Sequence, residues 1–220
     1  MTFENLHNLN SNSMKAIRLI ALAACMAATL DASAQEQEIR LFSHRGGRME
    51  HDENTLSAFQ ASYDAGYRGF ETDIRMTRDG ALVITHDSSL ERTTDGTGTV
   101  EEKTEAEIRQ LATKQGNKMM FLDELLEFLK GKEGLYVEFE MKTKPEALYP
   151  EERLHAYCDK LYDAVMAVKP ADATFVFTSG DYRGLRYLQA KHPGVDLLLI
   201  TSKPCNDETI DLCKAMGIKR

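Results

Sequence analysis

From residue 38 onward the chain alternates short apolar segments with segments of helical periodicity, an order that few folds accommodate. The strand-like segments read IRLF, GFETDI, ALVITH, LYVEFEMK, TFVFTS and DLLLIT. Helical patterns separate most of them, which is typical of a parallel sheet covered by helices. No GxGxxG or GxxxxGK[ST] motif follows the first strand, so the common nucleotide-binding sheets are disfavoured. The pattern predicts an α/β fold over residues 35–220, with a barrel favoured over a doubly wound sheet.

Residues 1–34 are predicted to be an N-terminal extension followed by a signal peptide. Two basic residues open a run of small apolar side chains that ends in Ala-Ser-Ala, the layout of a secretory signal. The first thirteen residues are polar, so we expect translation to start at Met14 and cleavage to follow Ala34. An exported protein, periplasmic or extracellular, is therefore expected. Lipoprotein anchoring at Cys25 is the weaker alternative, because the apolar stretch before it is short.

Charge and cysteine content exclude several classes of protein. A net charge of −8 and a pI near 5.3 disfavour a nucleic-acid partner, since phosphate-backbone binding needs clustered Lys and Arg. The three cysteines after the predicted signal have no CxxC spacing, so neither a disulfide framework nor a zinc site is expected. No later apolar run is long enough for a stable membrane span.

Two strand-like segments carry carboxylates where a barrel interior is expected. Glu71 and Asp73 are two residues apart and share a face of GFETDI. In LYVEFEMK, Glu138, Glu140 and Lys142 share the face opposite the apolar residues. Carboxylates enclosed in a barrel require a cation or tight ion pairing. An antiparallel sheet with one wet face would explain the same alternation without any site.

A hairpin is predicted between GFETDI and ALVITH. Only twelve residues separate Asp73 from His86, too few for a helical crossover, and Asp79-Gly80 favours a two-residue type I′ loop. That loop would place Asp73 directly opposite His86, with Glu71 beside them. A bulge would shift the register by one residue. His44 ends another strand and is placed to join this group.

These residues belong to a series of spaced motifs. In order along the chain they are H-R-G at His44–Gly46, E-N-T at Glu53–Thr55, E-x-D at Glu71 and Asp73, T-x-D-G at Thr77–Gly80, H-D at His86 and Asp87, L-x-R-T-T-x-G-x-G at Leu90–Gly98, and E-x-K at Glu140 and Lys142. The series resembles the glycerophosphodiester phosphodiesterase family, from about Arg40 to the C-terminus. Each motif alone is weak, and their order carries the resemblance.

The resemblance implies a TIM barrel in which Glu71, Asp73 and Glu140 hold one divalent cation, and in which His44 and His86 act as acid and base. Carboxylate oxygens without a nearby cysteine suit Ca²⁺ or Mg²⁺ better than zinc.

Further residues are predicted to bind the phosphate or to support the site. Arg45 can hold the phosphate through a fork of donors, and Lys142 can add a point charge. The supporting residues are predicted to be Glu53, Asn54, Asp87 and Glu138. Asn54 fits a helix N-cap equally well, and Glu138 is expected to pair with Lys142.

The predicted reaction is hydrolysis of small-molecule glycerophosphodiesters to glycerol 3-phosphate and an alcohol. The substrate's own glycerol hydroxyl would attack phosphorus, with His44 as base and His86 as acid; direct attack by water is the alternative. A same-class rival is a phospholipase of the phosphatidylinositol phospholipase C or sphingomyelinase D type, which would need an exposed apolar rim that the sequence does not show strongly. A rival of another class is a non-catalytic secreted barrel that binds phosphorylated ligands.

Chain length predicts an incomplete barrel. An eight-stranded barrel takes about 250 residues, and removing residues 1–34 from a chain of 220 leaves 186. The six strand-like segments, and the absence of the family's late Trp-bearing and Asp-Gly-containing strands, indicate truncation at the C-terminus. About six of eight strands are expected.

Overall fold

The computed structural model describes residues 41–218. The predicted signal peptide, with Met14, Cys25 and Ala34, lies outside the described residues, so the domain boundary and export stay predictions. Six strands form one sheet: β1 Phe42–His44, β2 Gly69–Met76, β3 Leu82–Ile84, β4 Tyr136–Met141, β5 Thr174–Ser179 and β6 Leu197–Leu199.

Helices fill most of the connections between these strands. They are α1 Leu56–Asp64, α2 Glu105–Ile108, α3 Leu122–Leu129, α4 Glu151–Val168, α5 Tyr182–Lys191 and α6 Asp207–Ala215, with short 3₁₀ helices at Val100–Glu102 and Glu146–Leu148. Within the described part of the chain, no helix is both long and apolar enough to cross a membrane.

The sheet has the strand order of a barrel that is not closed. Strands β1, β2, β4, β5 and β6 lie side by side in parallel, while β3 pairs antiparallel with β2. Over residues 41–218, β1 and β6 do not pair with each other. The predicted incomplete α/β barrel is confirmed, although only five of the six strands belong to its parallel series because β3 is the second arm of a hairpin.

The two faces of the central strands differ in polarity, as the alternation predicts. Phe70, Val137, Phe139 and Phe177 are fully buried in one cluster with apolar side chains of the helices. Phe139 and Phe175 meet edge to face with ring centroids 5.3 Å apart. The carboxylates of the same strands alternate with these residues and therefore project from the opposite face.

The hairpin forms, but the predicted register is wrong by one residue. Ile84 pairs with Ile74 and Leu82 with Met76, so the residue level with Asp73 is Thr85, whose N–H donates to the Asp73 carbonyl at 2.9 Å. Three residues rather than two form the loop, because Arg78 joins Asp79 and Gly80, with Gly80 at φ 89°. His86 consequently lies just beyond the paired residues of β3 and is not directly opposite Asp73 on β2.

Candidate active site

Three carboxylates converge on the polar face of β2 and β4. Asp73 and Glu140 are direct register neighbours, and Glu71 lies two residues earlier on β2. One oxygen from each of Glu71, Asp73 and Glu140 lies within 4.8 Å of the others. Asp73 is fully buried and Glu71 is buried as well. The structure therefore brings together the three residues that the sequence predicts as metal ligands.

The proximity of these carboxylates changes their proton affinity. Burial, reinforced by the negative charges of Asp73 and Glu140, raises the pKa of Glu71 to about 9. Burial also raises the pKa of Glu140, against the opposing effect of Lys142. Without an additional cation, the folded state therefore keeps Glu71 protonated at neutral pH.

Two cationic side chains already lie against the cluster. The ammonium of Lys142 is 2.6 Å from Glu140 Oε1 and 3.2 Å from Asp73 Oδ1. The guanidinium of Arg45 is 3.3 Å from Asp73 Oδ2 and also pairs with Glu53 at 3.2 Å. The two residues predicted to bind phosphate are thus within ion-pair distance of the predicted metal ligands.

The carboxylate cluster fits a hard divalent cation. Glu71 Oε1 is buried and has no hydrogen-bond partner within the described residues, and the buried Asp73 Oδ1 has the Lys142 ammonium 3.2 Å away as its counter-ion. A buried polar atom without a partner is costly, and a cation would satisfy Glu71 Oε1. All the ligand atoms on offer are carboxylate oxygens, the donors that Ca²⁺ and Mg²⁺ prefer. Glu71, Asp73 and Glu140 are the residues that would hold the ion.

Cation-free protein is expected to lose stability as the pH rises. The pKa of Glu71 is about 9 in the folded state against an ordinary 4.5, so its contribution is complete below the ordinary value and is lost as the pH rises through 9. The melting temperature in chelator should fall between pH 5 and pH 9.

Binding of Ca²⁺ or Mg²⁺ near pH 7 should release about one proton, measurable by calorimetry in buffers of different ionisation enthalpy. Binding without proton release would contradict this account.

His44 lies beside the cluster at the end of β1. It is level with Glu71 in the β1–β2 register, and its Nε2 is 3.5 Å from Glu71 Oε2. Partial burial lowers the pKa of His44, and the positive charge of Arg45 acts in the same direction. A half-exposed imidazole that stays neutral is suited to accept a proton from a ligand.

His86 has a different environment. Its Nδ1 is 2.6 Å from Asp87 Oδ1, so the carboxylate orients the imidazole ring. Burial would raise the pKa of Asp87, but hydrogen bonds from Arg92 and His86 hold it at about 2. This orientation is compatible with the acid role predicted for His86, which stays a prediction, as does the supporting role of Asp87.

An open cleft of about 440 Å³ adjoins the cluster on the side of His86. His86, Glu140 and Lys142 are among its lining residues, together with Ser88 and Lys144 at the ends of neighbouring loops. His44 does not line it. A molecule bound across the carboxylates therefore has room to extend past His86.

Asn54 contacts the site, and its alternative role as a helix N-cap is wrong. Its Nδ2 donates to Asp73 Oδ2 at 2.9 Å, and its backbone is left-handed at φ 59°. Thr55 caps α1 instead, accepting from the N–H of Ala58. Glu138 accepts a hydrogen bond from the hydroxyl of Tyr136, while Lys142 pairs with Asp73 and Glu140.

Two arginines of the site were not identified from the sequence. Arg75 is buried and donates to the His86 carbonyl at 2.9 Å, to Glu101 at 2.8 Å and to the Lys142 carbonyl at 3.3 Å. It shares a face with Glu71 and Asp73, a spacing that could have revealed it. Arg92 lies in the L-x-R-T-T motif and contacts both Asp87 and Glu53, but the motif alone does not indicate these partners.

The fold and the site together define an α/β barrel protein with three clustered carboxylates that could hold a cation and with two histidines nearby. The glycerophosphoryl diester phosphodiesterase family model matches residues 44–218. The chain belongs to this family.

Individual relatives agree with this assignment. A glycerophosphodiester phosphodiesterase of Caldanaerobacter subterraneus subsp. tengcongensis is 36% identical over 123 residues, which cover 52% of this chain and 50% of that protein. Glycerophosphodiester phosphodiesterase 1 of Homo sapiens is 44% identical over 73 residues, covering 33% of this chain and 22% of that protein. The matched segment thus spans half or less of these relatives.

Solved structures show the same fold. A phosphodiesterase of Oleispira antarctica in complex with the product sn-glycerol-3-phosphate superimposes with a TM-score of 0.71 at 24% identity, covering 82% of this chain and 72% of that one. A glycerophosphoryl diester phosphodiesterase of Parabacteroides distasonis gives a TM-score of 0.62 at 26% identity, covering 83% and 61%.

Proposed function

We propose that the protein hydrolyses glycerophosphodiesters to glycerol 3-phosphate and an alcohol, with one divalent cation held by Glu71, Asp73 and Glu140. The observation that carries the proposal is the convergence of these three carboxylates within 4.8 Å, with His44 beside Glu71 and His86 in the adjoining cleft. Membership of the family supports the choice of substrate. The complex of the Oleispira antarctica phosphodiesterase with sn-glycerol-3-phosphate supports the choice of product.

Arg45 and Lys142 are proposed to bind the phosphate of the substrate. When bound, the cation would supply charge that stabilises the extra negative charge on the phosphoryl oxygens in the transition state. Arg45 offers a planar fork of donors to the phosphate, and Lys142 offers a mobile point charge. Both side chains lie at the edge of the carboxylate cluster, so a phosphate there can exchange contacts with them.

The two histidines would transfer protons in two half-reactions. His44 takes the proton of the glycerol hydroxyl, whose oxygen attacks phosphorus; the bond to the leaving alcohol breaks, and His86 gives that oxygen a proton. Water then opens the cyclic phosphate, with His86 accepting a proton from the water and His44 returning one to the glycerol oxygen. The cleft beside His86 gives the leaving alcohol a place to lie.

Release of glycerol 3-phosphate from glycerophosphocholine tests the proposal directly. We expect turnover with Ca²⁺ or Mg²⁺, its loss in chelator and its recovery when the ion is restored, because the carboxylates cannot stabilise phosphoryl charge by themselves. Turnover that chelation leaves unchanged would overturn the metal assignment. Cleavage of phosphatidylinositol or sphingomyelin vesicles without cleavage of glycerophosphocholine would favour the phospholipase alternative.

A further inference from the structure

Arg92 joins the two halves of the site through two carboxylates. Its Nε donates to Asp87 Oδ2. Its two terminal nitrogens donate to Glu53 in a fork, at 3.0 Å to Oε2 and 2.7 Å to Oε1. A bidentate contact of this kind fixes direction as well as distance.

Each of these two carboxylates also contacts a residue that has a role in the proposed reaction. Asp87 contacts His86 Nδ1 at 2.6 Å, and Glu53 contacts Arg45 Nη1 at 3.2 Å. An unbroken series of contacts therefore runs from His86 through Asp87, Arg92 and Glu53 to Arg45. Within residues 41–218, Arg92 is the one side chain that pairs with both Asp87 and Glu53.

The loop that carries Arg92 is firmly held. Leu90 and Thr94, on either side of Arg92, are almost fully buried. The Thr94 hydroxyl donates to the Leu90 carbonyl at 2.7 Å, and the Leu90 N–H donates to the Gly98 carbonyl at 3.0 Å. The L-x-R-T-T-x-G-x-G motif thus forms a closed turn that presents the arginine at a set position, although its side chain is half exposed.

We propose that Arg92 is a positioning residue that orients His86 through Asp87 and Arg45 through Glu53, so that the proton donor and the phosphate-binding arginine are set by one guanidinium. This inference rests on the proposed function. The contacts of Arg92 lie outside the carboxylate cluster, its own side chain is half exposed, and Glu53 keeps its contact with Arg45 without it, so the ion pairs of Arg92 should contribute modestly to stability. Its removal should therefore affect catalysis more than folding.

Kinetics of Arg92→Ala and Arg92→Lys on glycerophosphocholine test this role. Arg92→Ala should lower kcat/KM by roughly ten- to a hundredfold, the scale set by misplacing a reacting group by about 1 Å. The fall in kcat/KM of Arg92→Ala should combine a lower kcat, from the misplaced His86, with a higher KM, from the misplaced Arg45. Asp87→Asn should reproduce mainly the lower kcat, and Glu53→Gln mainly the higher KM. Arg92→Lys should recover little, because an ammonium cannot bridge two carboxylates as a fork does.

A matched control separates positioning from general surface charge. Arg109 is also a partly exposed arginine paired with a carboxylate, Glu105, at 2.7 Å, and Arg109→Ala should leave kcat and KM unchanged. Added guanidinium should restore part of the activity of Arg92→Ala. Activity of Arg92→Ala equal to that of Arg109→Ala, or a loss that simply follows a lower melting temperature, would overturn the inference. Inactive wild-type protein would instead contradict the proposed function.

Discussion

His86→Gln will lower kcat for glycerophosphocholine by roughly 10²-fold or more, the range for loss of a general acid. The leaving choline alkoxide is strongly basic and cannot depart well without a proton. His86 is hydrogen-bonded to Asp87 at 2.6 Å and lines the cleft that would receive the alcohol. The measurement is initial-rate release of glycerol 3-phosphate at saturating substrate.

A substrate with a better leaving group distinguishes the two histidines. Glycerophospho-p-nitrophenol releases a phenolate that needs no proton, so His86→Gln should lose much less of its first-turnover release of p-nitrophenolate, which reports the first half-reaction before His86 acts on water. His44→Gln should lose similar activity on both substrates, because its proposed proton comes from the glycerol hydroxyl. His155→Gln is the control, since His155 stacks on Tyr187 away from the site. Equal losses of His86→Gln in the first-turnover release of choline and of p-nitrophenolate would refute its role as the acid.

Glu71→Gln will stabilise the cation-free protein while removing its activity. Burial and the charges of Asp73 and Glu140 raise the pKa of Glu71 to about 9, so a neutral amide suits the folded state better than a carboxylate at high pH. At pH 8 the wild-type chain must take up a proton on Glu71 as it folds, a cost that the amide avoids, so we expect a gain on the order of 1–4 kcal/mol. Urea unfolding in chelator measures it.

The same variant should lose its response to divalent ions. A ligand is missing, so Ca²⁺ or Mg²⁺ should no longer raise the melting temperature, and activity should fall roughly 10²-fold or more, since metal charge stabilisation is worth several kcal/mol. Glu127→Gln, at an exposed position of α3, should change neither property. A Glu71→Gln protein that still gains stability from the ion would remove Glu71 from the ligand set.

The period-two alternation of the strands predicted much of the site. It placed Glu71 and Asp73 on one face of β2 and Glu140 on the matching face of β4, and strand pairing then brought them together. The order of short motifs predicted the family. Both signals are local in sequence. The pairing of neighbouring parallel strands is then enough to bring the carboxylates of β2 and β4 close together in space.

Other features depended on tertiary contacts that local patterns do not contain. Asp79-Gly80 fits both two-residue and three-residue loops, and the longer loop moved the hairpin register by one residue. The contacts of Arg92 with Glu53 span 39 positions, and those of Arg75 with the Lys142 carbonyl span 67. Pairings at such separations follow from the packed fold and not from the spacing of either residue.

The contacts of Lys142 and Arg45 with the carboxylate cluster bear on whether the chain folds before or after it binds an ion. The Lys142 ammonium, the Arg45 guanidinium and the proton on Glu71 offset the negative charge of the three carboxyl groups in the absence of a bound ion. Unlike small zinc domains, which stay unfolded until the metal is supplied, this chain is expected to fold before it binds an ion. Under the proposed function, the divalent-ion supply would then govern the reaction, while folding at neutral pH would not wait for it.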